Sequence, residues 1–168
     1  MTVSLAMTVI GPDRPGLVRI LSDAVASHGG NWLESRMARL AGQFAGVVRV
    51  ECPASSADAL VTALEALGNE GLVVQVVREE APPAEERRTL TVDVVGNDRP
   101  GIVRDLAAAI ANAGGNVEEL TTGLESAPMS GHPLFRAHGI ISIPENSDAA
   151  DLTIAIENLG SDLSVDVS

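Results

Sequence analysis

The sequence predicts an α+β protein made of two similar domains, each an antiparallel four-stranded sheet with both helices on one face. The first observation is a repeat: the segment GPDRPG at residues 11–16 returns as GNDRPG at residues 96–101. Gly-Gly-Asn at residues 29–31 likewise returns at residues 114–116. The second observation is that both copies change their apolar spacing in the order βαββαβ.

In the first copy, residues 2–10 alternate apolar and polar, which predicts a half-buried strand. After the GPDRPG segment, apolar residues from Leu17 to Val25 have helical spacing, and the two glycines then end the helix. The remaining predicted elements are strands at 32–40 and 44–52, a helix at 57–67 and a strand at 72–77.

The second copy repeats this order, with elements at 89–95, 100–113, 117–124, 134–143, 149–159 and 163–167. Its middle strands are separated by extra residues at 125–133, whose Pro and Gly predict a loop or bulge without extended pairing. Residues 79–88, with four Glu and two adjacent Pro, predict a semi-rigid charged linker. The predicted domains are therefore 1–78 and 89–168.

A βαββαβ unit of this kind has the ferredoxin-like plan, in which one sheet face and the sheet edges stay open. Each copy is small enough to be marginally stable alone, since a domain of this size buries only about 60% of its unfolded surface. We therefore expect the domains to dock on each other or on another chain, and a homodimer is the predicted assembly.

The charge excludes two classes of partner. The formal net charge is −12, with 23 acidic residues and 11 basic residues, and the sequence contains no Lys. Binding to nucleic acid or to an anionic membrane surface needs a basic face, so neither is expected. The single Cys52 suits a reducing compartment, and the amino terminus lacks the form of a signal peptide. The expected location is the cytoplasm.

The repeated loop offers groups that suit an amino acid. Backbone N–H groups at a helix N-terminus favour an anion such as a carboxylate. Gly16 and Gly101 let a ligand or a neighbouring chain approach the backbone closely. Asp13 and Asp98 can cap the following helix or receive an ammonium group.

Asn31 and Asn116 begin the second strand of each copy, and an Asn side chain both donates and accepts hydrogen bonds. A purely structural interpretation stays open as well. Asp-Arg-Pro-Gly also forms a turn and a helix start, and Gly-Gly-Asn also forms a helix end followed by a turn.

No pattern in the sequence predicts catalysis, a metal or a cofactor. There is no Lys for a nucleotide-binding loop, no serine elbow and no carboxylate pair of the glycosidase kind. His132 and His138 lack the cysteine or acidic partners of a patterned metal site. We therefore expect a non-enzymatic protein without a cofactor.

A strand, Asp-Arg-Pro-Gly with two apolar residues, a helix and Gly-Gly-Asn together resemble the ACT domain. Residues 36–45 and 51–53, and later Pro133-Leu134-Phe135 and Ile143-Pro144, add to the likeness. Two such units with a long middle loop in the second resemble the glycine cleavage system transcriptional repressor group.

The resemblance implies a regulatory module that binds an amino acid at an interface between two copies. The loop Asp and Gly of one copy then contact the ligand, and the Asn reaches it from the partner domain. The predicted ligand-binding residues are Asp13, Arg14, Gly16 and Asn31 in the first copy and Asp98, Arg99, Gly101 and Asn116 in the second.

The predicted function is therefore amino-acid sensing, with glycine or serine as the candidate ligand and a protein partner such as a transcription activator. Two alternatives stay open. The chain can be an interaction module with no ligand. It can also be a regulatory piece related to formyltetrahydrofolate deformylase, whose front segment the first copy resembles through Gly30-Asn31 and Gly42-Gln43-Phe44.

Overall fold

The computed structural model describes residues 1–80, 86–129 and 131–168, and the chain forms two compact units, Met1–Pro82 and Pro83–Ser168. Within the described residues, each unit has four strands and two α-helices in the predicted order. Both sheets are antiparallel throughout. The predicted fold class is thus confirmed.

The first unit pairs its strands in the order β2-β3-β1-β4. Its elements are β1 (Thr2–Pro12), α1 (Leu17–Ser27), β2 (Asn31–Leu40), β3 (Gln43–Pro53), α2 (Ala57–Glu65) and β4 (Val73–Arg78), with short 3₁₀ turns at Ala54–Ser56 and Ala66–Glu70.

The second unit pairs its strands in the equivalent order β6-β7-β5-β8. Its elements are β5 (Arg87–Asn97), α3 (Ile102–Asn112), β6 (Asn116–Ser126), β7 (Pro133–Pro144), α4 (Ala149–Glu157) and β8 (Ser164–Val167).

Each core lies between the helices and one face of the sheet. In the first unit every second residue of β1 is buried, and so is one residue per turn of α1, because these spacings place each set on a single face. The buried residues that carry this pattern are Leu5, Met7, Val9, Leu17, Leu21 and Val25. In the second unit, the same pattern places Leu90, Val92 and Val94 against Ile102, Leu106 and Ile110.

The two glycines after α1 have separate structural tasks. Gly29 takes the left-handed conformation, with φ +70°, which ends the helix. Gly30 donates its N–H to the carbonyl oxygen of Val25 at 2.9 Å. A Cβ at Gly30 would lie 2.7 Å from Val25 Cγ1 and 2.8 Å from Val25 O, so the chain leaves no room for a side chain there. Gly114 and Gly115 repeat this arrangement after α3.

The predicted loop at 125–133 is wrong at both ends. Glu125 and Ser126 belong to β6, and Ser126 pairs with Pro133 of β7, so the hairpin is longer than predicted. Pro133 is tolerated because it is the first residue of its strand, where a missing N–H matters least. The turn itself is closed by a hydrogen bond from Ala127 N to His132 O at 3.1 Å, and residue 130 lies outside the described residues.

The predicted linker at 79–88 is shorter on its C-terminal side, since β5 begins at Arg87. On its N-terminal side Glu79 is tied to the first unit. Its N–H bonds to Ser4 O at 2.9 Å, and its carboxylate accepts hydrogen bonds from Ser4 Oγ and, at 2.7 Å, from Arg49 Nε. Residues 81–85 of the predicted linker lie outside the described residues.

These contacts predict a pH-dependent contribution of Glu79 to stability. The hydrogen bonds from Ser4 and then Arg49 lower the pKa of Glu79 below its usual value. A carboxylate whose pKa is lower in the folded state stabilises that state above its unfolded pKa of about 4.3, and loses the effect as the pH falls through the folded value. We expect Glu79→Gln to lower the free energy of unfolding of the first unit at pH 7.

Denaturant unfolding from pH 7 to pH 3 measures this difference, which should shrink below about pH 4.3. Glu65→Gln, at the exposed end of α2, is the matched control and should differ little from the parent at any pH. A pH-independent deficit in Glu79→Gln would contradict the assignment.

None of the helices in the described residues is long and apolar enough to cross a lipid bilayer.

Candidate functional site

Each GPDRPG-type loop joins the first strand of its unit to the first helix through a left-handed glycine. Gly16 and Gly101 precede α1 and α3 with φ of +89° and +83°. A residue with a Cβ is strained in this conformation, so the turn itself requires glycine at both positions. No side chain caps α1 or α3, and the predicted capping role of Asp13 and Asp98 is therefore not observed.

In the second unit the loop is surrounded by charged side chains that contact one another. Arg99 Nη1 lies 2.8 Å from Asp105 Oδ2, and Arg104 Nε lies 3.2 Å from Asp105 Oδ1. Hydrogen bonds from Arg99 and then Arg104 lower the pKa of Asp105, so its carboxylate stays ionised at neutral pH. The Arg104 guanidinium lies against Gly101, with Nη2 3.1 Å from the position of an added Cβ.

Arg99, Gly101 and Arg104 line a cavity of about 320 Å³ between the start of α3 and strand β6. The loop and the first turn of α3 contribute its charged lining, and strands β6 and β7 contribute Thr122, Gly123, Leu124 and Phe135. The residues that define it are Asp98, Arg99, Gly101, Arg104, Leu124 and Phe135. The cavity therefore combines a helix N-terminus, two guanidinium groups and one exposed carboxylate.

Asp98 is held in place by its backbone, since its N–H donates to Pro133 O at 3.1 Å. Its side chain is exposed, and the described part of the chain contains no hydrogen bond or ion pair to its carboxylate. The carboxylate is thus available to an ammonium group that enters the cavity.

The first unit arranges the same loop differently. Arg14 Nη2 donates to Glu70 O at 2.9 Å, which directs this arginine toward the turn before β4. Asp13 Oδ2 lies 3.8 Å from Arg39 Nη1 on β2. The Asp13 N–H bonds to Gly42 O at 2.9 Å, as the Asp98 N–H bonds to the equivalent hairpin.

Within each unit, the predicted Asn residue lies at the opposite end of the sheet from the loop. Asn31 pairs with Glu51, and Glu51 pairs with Ser4, whereas Asp13 follows the other end of β1. From Ser4 to Pro12 the strand spans eight residues, roughly 27 Å at about 3.4 Å per residue. Asn31 and Asn116 therefore do not line the loop of their own unit, and their contact with a ligand from a partner domain stays a prediction.

Asn116 belongs instead to a network at the start of β6. Its Nδ2 donates to Glu118 Oε1 at 3.1 Å, and Ser142 Oγ donates to the same oxygen at 2.6 Å. Arg87 Nη2 donates to Gly114 O at 2.8 Å and to Ser142 O at 2.9 Å. A structural role for Asn116 is thus visible without a ligand.

A larger cavity, about 760 Å³, lies between α3 and α4 of the second unit. The described residues that line it include several alanines and the carboxylates of Asp105, Asp148 and Asp151, and no basic side chain. Its polar side chains are acidic or neutral, so it offers no cation to a ligand carboxylate, and the smaller cavity at the loop fits an amino acid better.

Sequence reasoning did not identify Arg104, which lines the cavity, or Asp105, which accepts a hydrogen bond from it. An acidic residue in the first turn of a helix is ordinary because it complements the helix dipole. The signal was present in the alignment of the two copies, where Arg19 matches Arg104 but Ile20 stands at the position of Asp105.

The described residues contain no group of three His, Cys, Asp or Glu side chains that could hold a metal ion. Burial raises the pKa of the Cys52 thiol, which disfavours a reactive thiolate. What the loop of the second unit can do chemically is hold a small zwitterion, with its carboxylate toward the arginines and its ammonium toward Asp98.

The fold and the loop define a class of small βαββαβ domains, and the comparisons identify the family of the first unit. Residues 4–76 match the family model of the ACT domain. The solved structure of an unknown protein from Galdieria sulphuraria is 30% identical, with a TM-score of 0.87, and the match covers 100% of this chain and 98% of that one. The first unit thus carries an ACT domain, as the sequence resemblance predicted.

Two further relatives extend this finding. A solved structure described as a glycine cleavage system transcriptional repressor is 20% identical, with a TM-score of 0.71, over 100% of this chain and 98% of that one. At this identity the likeness shows a shared tandem fold. Phosphoserine phosphatase SerB2 of Mycobacterium tuberculosis is 30% identical over 175 residues, which cover 99% of this chain and 40% of that protein. The chain thus spans 40% of the length of this curated relative.

Proposed function

We propose that this chain is a non-catalytic regulator that senses a small amino acid, glycine or L-serine, at the loop of its second unit. The observation that carries the proposal is the cavity of about 320 Å³ at that loop, where an unpartnered Asp98 carboxylate faces the same space as Arg99 and Arg104. A cavity of this size has room for a small amino acid, since it lies at the lower end of the range of about 300–1,000 Å³ for ligand pockets.

The amino acid would act by shifting an equilibrium between two states of the protein. A ligand shifts such an equilibrium only by the difference between its affinities for the two states. The side chains at the loop of the second unit supply that difference if they close on the ligand in only one state. The output is a change in the surface that the protein presents to a partner.

We propose that this partner is a protein, such as a transcription regulator, in the cytoplasm. The net charge of −12 and the absence of Lys argue against direct contact with nucleic acid. The likeness to a glycine cleavage system transcriptional repressor supports a partner of this kind. We also propose a homodimer, because the sheet face of the first unit that faces away from its helices exposes Ile10, Val47, Val73 and Val77.

The match to phosphoserine phosphatase SerB2 favours a second candidate, a regulatory chain that acts on a phosphatase of serine metabolism. In this case the sensed ligand would be L-serine rather than glycine. The two candidates share the same site and differ in ligand and partner.

Isothermal titration calorimetry of the purified chain with glycine, L-serine and L-leucine tests the proposal. We expect saturable binding of glycine or L-serine at micromolar to millimolar concentration, and L-leucine tests whether the site discriminates by side-chain size. The absence of heat from all three at millimolar concentration would contradict amino-acid sensing and would favour a ligand-free interaction module.

A further inference from the structure

The two copies of the motif differ at one position in the first helical turn. Asp105 and Ile20 each lie four residues after the left-handed glycine. Their backbone N–H groups make the same bond, to the carbonyl oxygens of Gly101 and Gly16, both at 3.0 Å. The backbone is therefore equivalent, and the difference lies in the side chain alone.

In the second unit this side chain fixes two arginines. One carboxylate accepts from Arg99 Nη1 at 2.8 Å and from Arg104 Nε at 3.2 Å, and only about 28% of the Asp105 side chain is exposed. Two guanidinium groups that would otherwise extend into solvent are thereby held beside the cavity. Holding them before a ligand arrives reduces the side-chain entropy that binding must remove.

In the first unit an isoleucine cannot do this, and the equivalent arginines lie elsewhere. Arg14 bonds to Glu70 O. Arg19 lies 3.8 Å from Asp23 along the exposed side of α1, and 85% of its side chain is exposed. No side-chain or backbone atom from outside the immediate neighbours lies within 4 Å of an added Cβ at Gly16, whereas Arg104 covers the same point at Gly101.

The charges around the second loop also fit a zwitterion. Arg99 and Arg104 contribute two positive charges, and Asp98 and Asp105 contribute two negative charges. The site is therefore neutral, with its positive side at the helix N-terminus and an unpartnered carboxylate at Asp98. A ligand with one carboxylate and one ammonium leaves this balance unchanged.

We propose that Asp105 is a positioning residue that makes the second copy of the motif the amino-acid-binding copy, by holding Arg99 and Arg104 for the ligand carboxylate. The inference rests on the proposed function, and it adds that the first copy, with Ile20 in this position, binds the same amino acid more weakly or not at all. The two copies thus share the backbone of the loop and differ in the side chains that can hold a ligand carboxylate.

The test compares ligands with and without a carboxylate in variants of one residue. Calorimetry uses glycine and L-serine beside glycinamide and L-serinamide, in which the carboxylate is replaced by an amide. We expect Asp105→Ile, which installs the residue of the first copy, and Asp105→Asn to raise the Kd of glycine or L-serine about tenfold, or 1.4 kcal/mol. The Kd of the amide should change less than about twofold, because the amide does not depend on the paired arginines.

Asp105→Glu should recover most of the affinity for the amino acid, since it restores the carboxylate. Asp151→Asn, in the first turn of α4, is the matched control and should bind as the parent does. Circular dichroism checks that the variants are folded. If Asp105→Ile does not fold, the near-isosteric Asp105→Asn still tests the role of the carboxylate.

Two outcomes separate this inference from the proposed function. If the parent binds neither glycine nor L-serine, both are overturned. If the parent binds but Asp105→Ile and Asp105→Asn bind equally well, or lose the amide and the amino acid alike, only the role of Asp105 is overturned.

Discussion

Replacing Asp98 with alanine is expected to weaken the binding of glycine or L-serine by about tenfold to a hundredfold. The Asp98 carboxylate has no partner within the described residues and faces the cavity of the second loop, so under the proposed function it is the group that would receive the ligand ammonium. A hydrogen bond to a charged group contributes about 1.5–3 kcal/mol, and each 1.4 kcal/mol is tenfold in Kd. Calorimetry at constant pH measures the change.

Two further variants show whether the loss of affinity is specific to Asp98. Asp166→Ala removes an exposed carboxylate from β8 of the same unit and should leave the Kd unchanged. Asp13→Ala should cause a smaller loss than Asp98→Ala, because Asp13 already lies 3.8 Å from Arg39 and the first loop lacks the paired arginines. A loss in Asp13→Ala equal to that in Asp98→Ala would show that both loops, or the first alone, hold the ligand.

The largest effect on stability is expected for valine at Gly30 or Gly115. An added Cβ would lie 2.8 Å from Val25 O at Gly30 and 2.9 Å from Ile110 O at Gly115, so backbone must move in either unit. Overpacking of this kind costs about 1–3 kcal/mol, and the two Cγ atoms of valine enlarge the clash. We expect each variant to lose about 3 kcal/mol or more of the stability of its own unit.

Thermal and denaturant unfolding of the two single variants measure this loss. Gly68→Ala is the control, because nothing lies within 4 Å of its added Cβ and its φ is not left-handed. Unfolding of Gly30→Val and Gly115→Val within about 1 kcal/mol of the parent would contradict the steric role of the second glycine.

The apolar periodicity of the sequence was sufficient to predict the fold of each unit, and the repeat was sufficient to predict the division into two similar units. Alternating residues in β1 and the four-residue spacing in α1 are local signals that the core reinforces. The residues at which strands β6 and β7 meet the hairpin turn were predicted wrongly, also because of local sequence signals. Pro133 and Gly131 are typical of loops, and only the register with β6 shows that Pro133 starts a strand.

The candidate site was harder to predict than the fold. The loop residues were identified correctly as neighbours of a helix N-terminus, but the length of β1 separates Asp13 from Asn31 by most of the sheet. The role of Asp105 depends on the directions of two long arginine side chains, which no linear pattern encodes. An acidic residue in a first helical turn is ordinary in sequence, and it becomes informative only when its partners are seen.

The most direct test of the account is an NMR titration of the ¹⁵N-labelled chain with glycine and with L-serine. We expect one of them to shift the backbone amide signals of Gly101, Ile102 and Val103 in a saturable way, with much smaller shifts at Gly16 and Leu17. Saturating amounts of both amino acids that leave the signals of residues 98–104 in place would contradict the claim that the second loop is the sensing site.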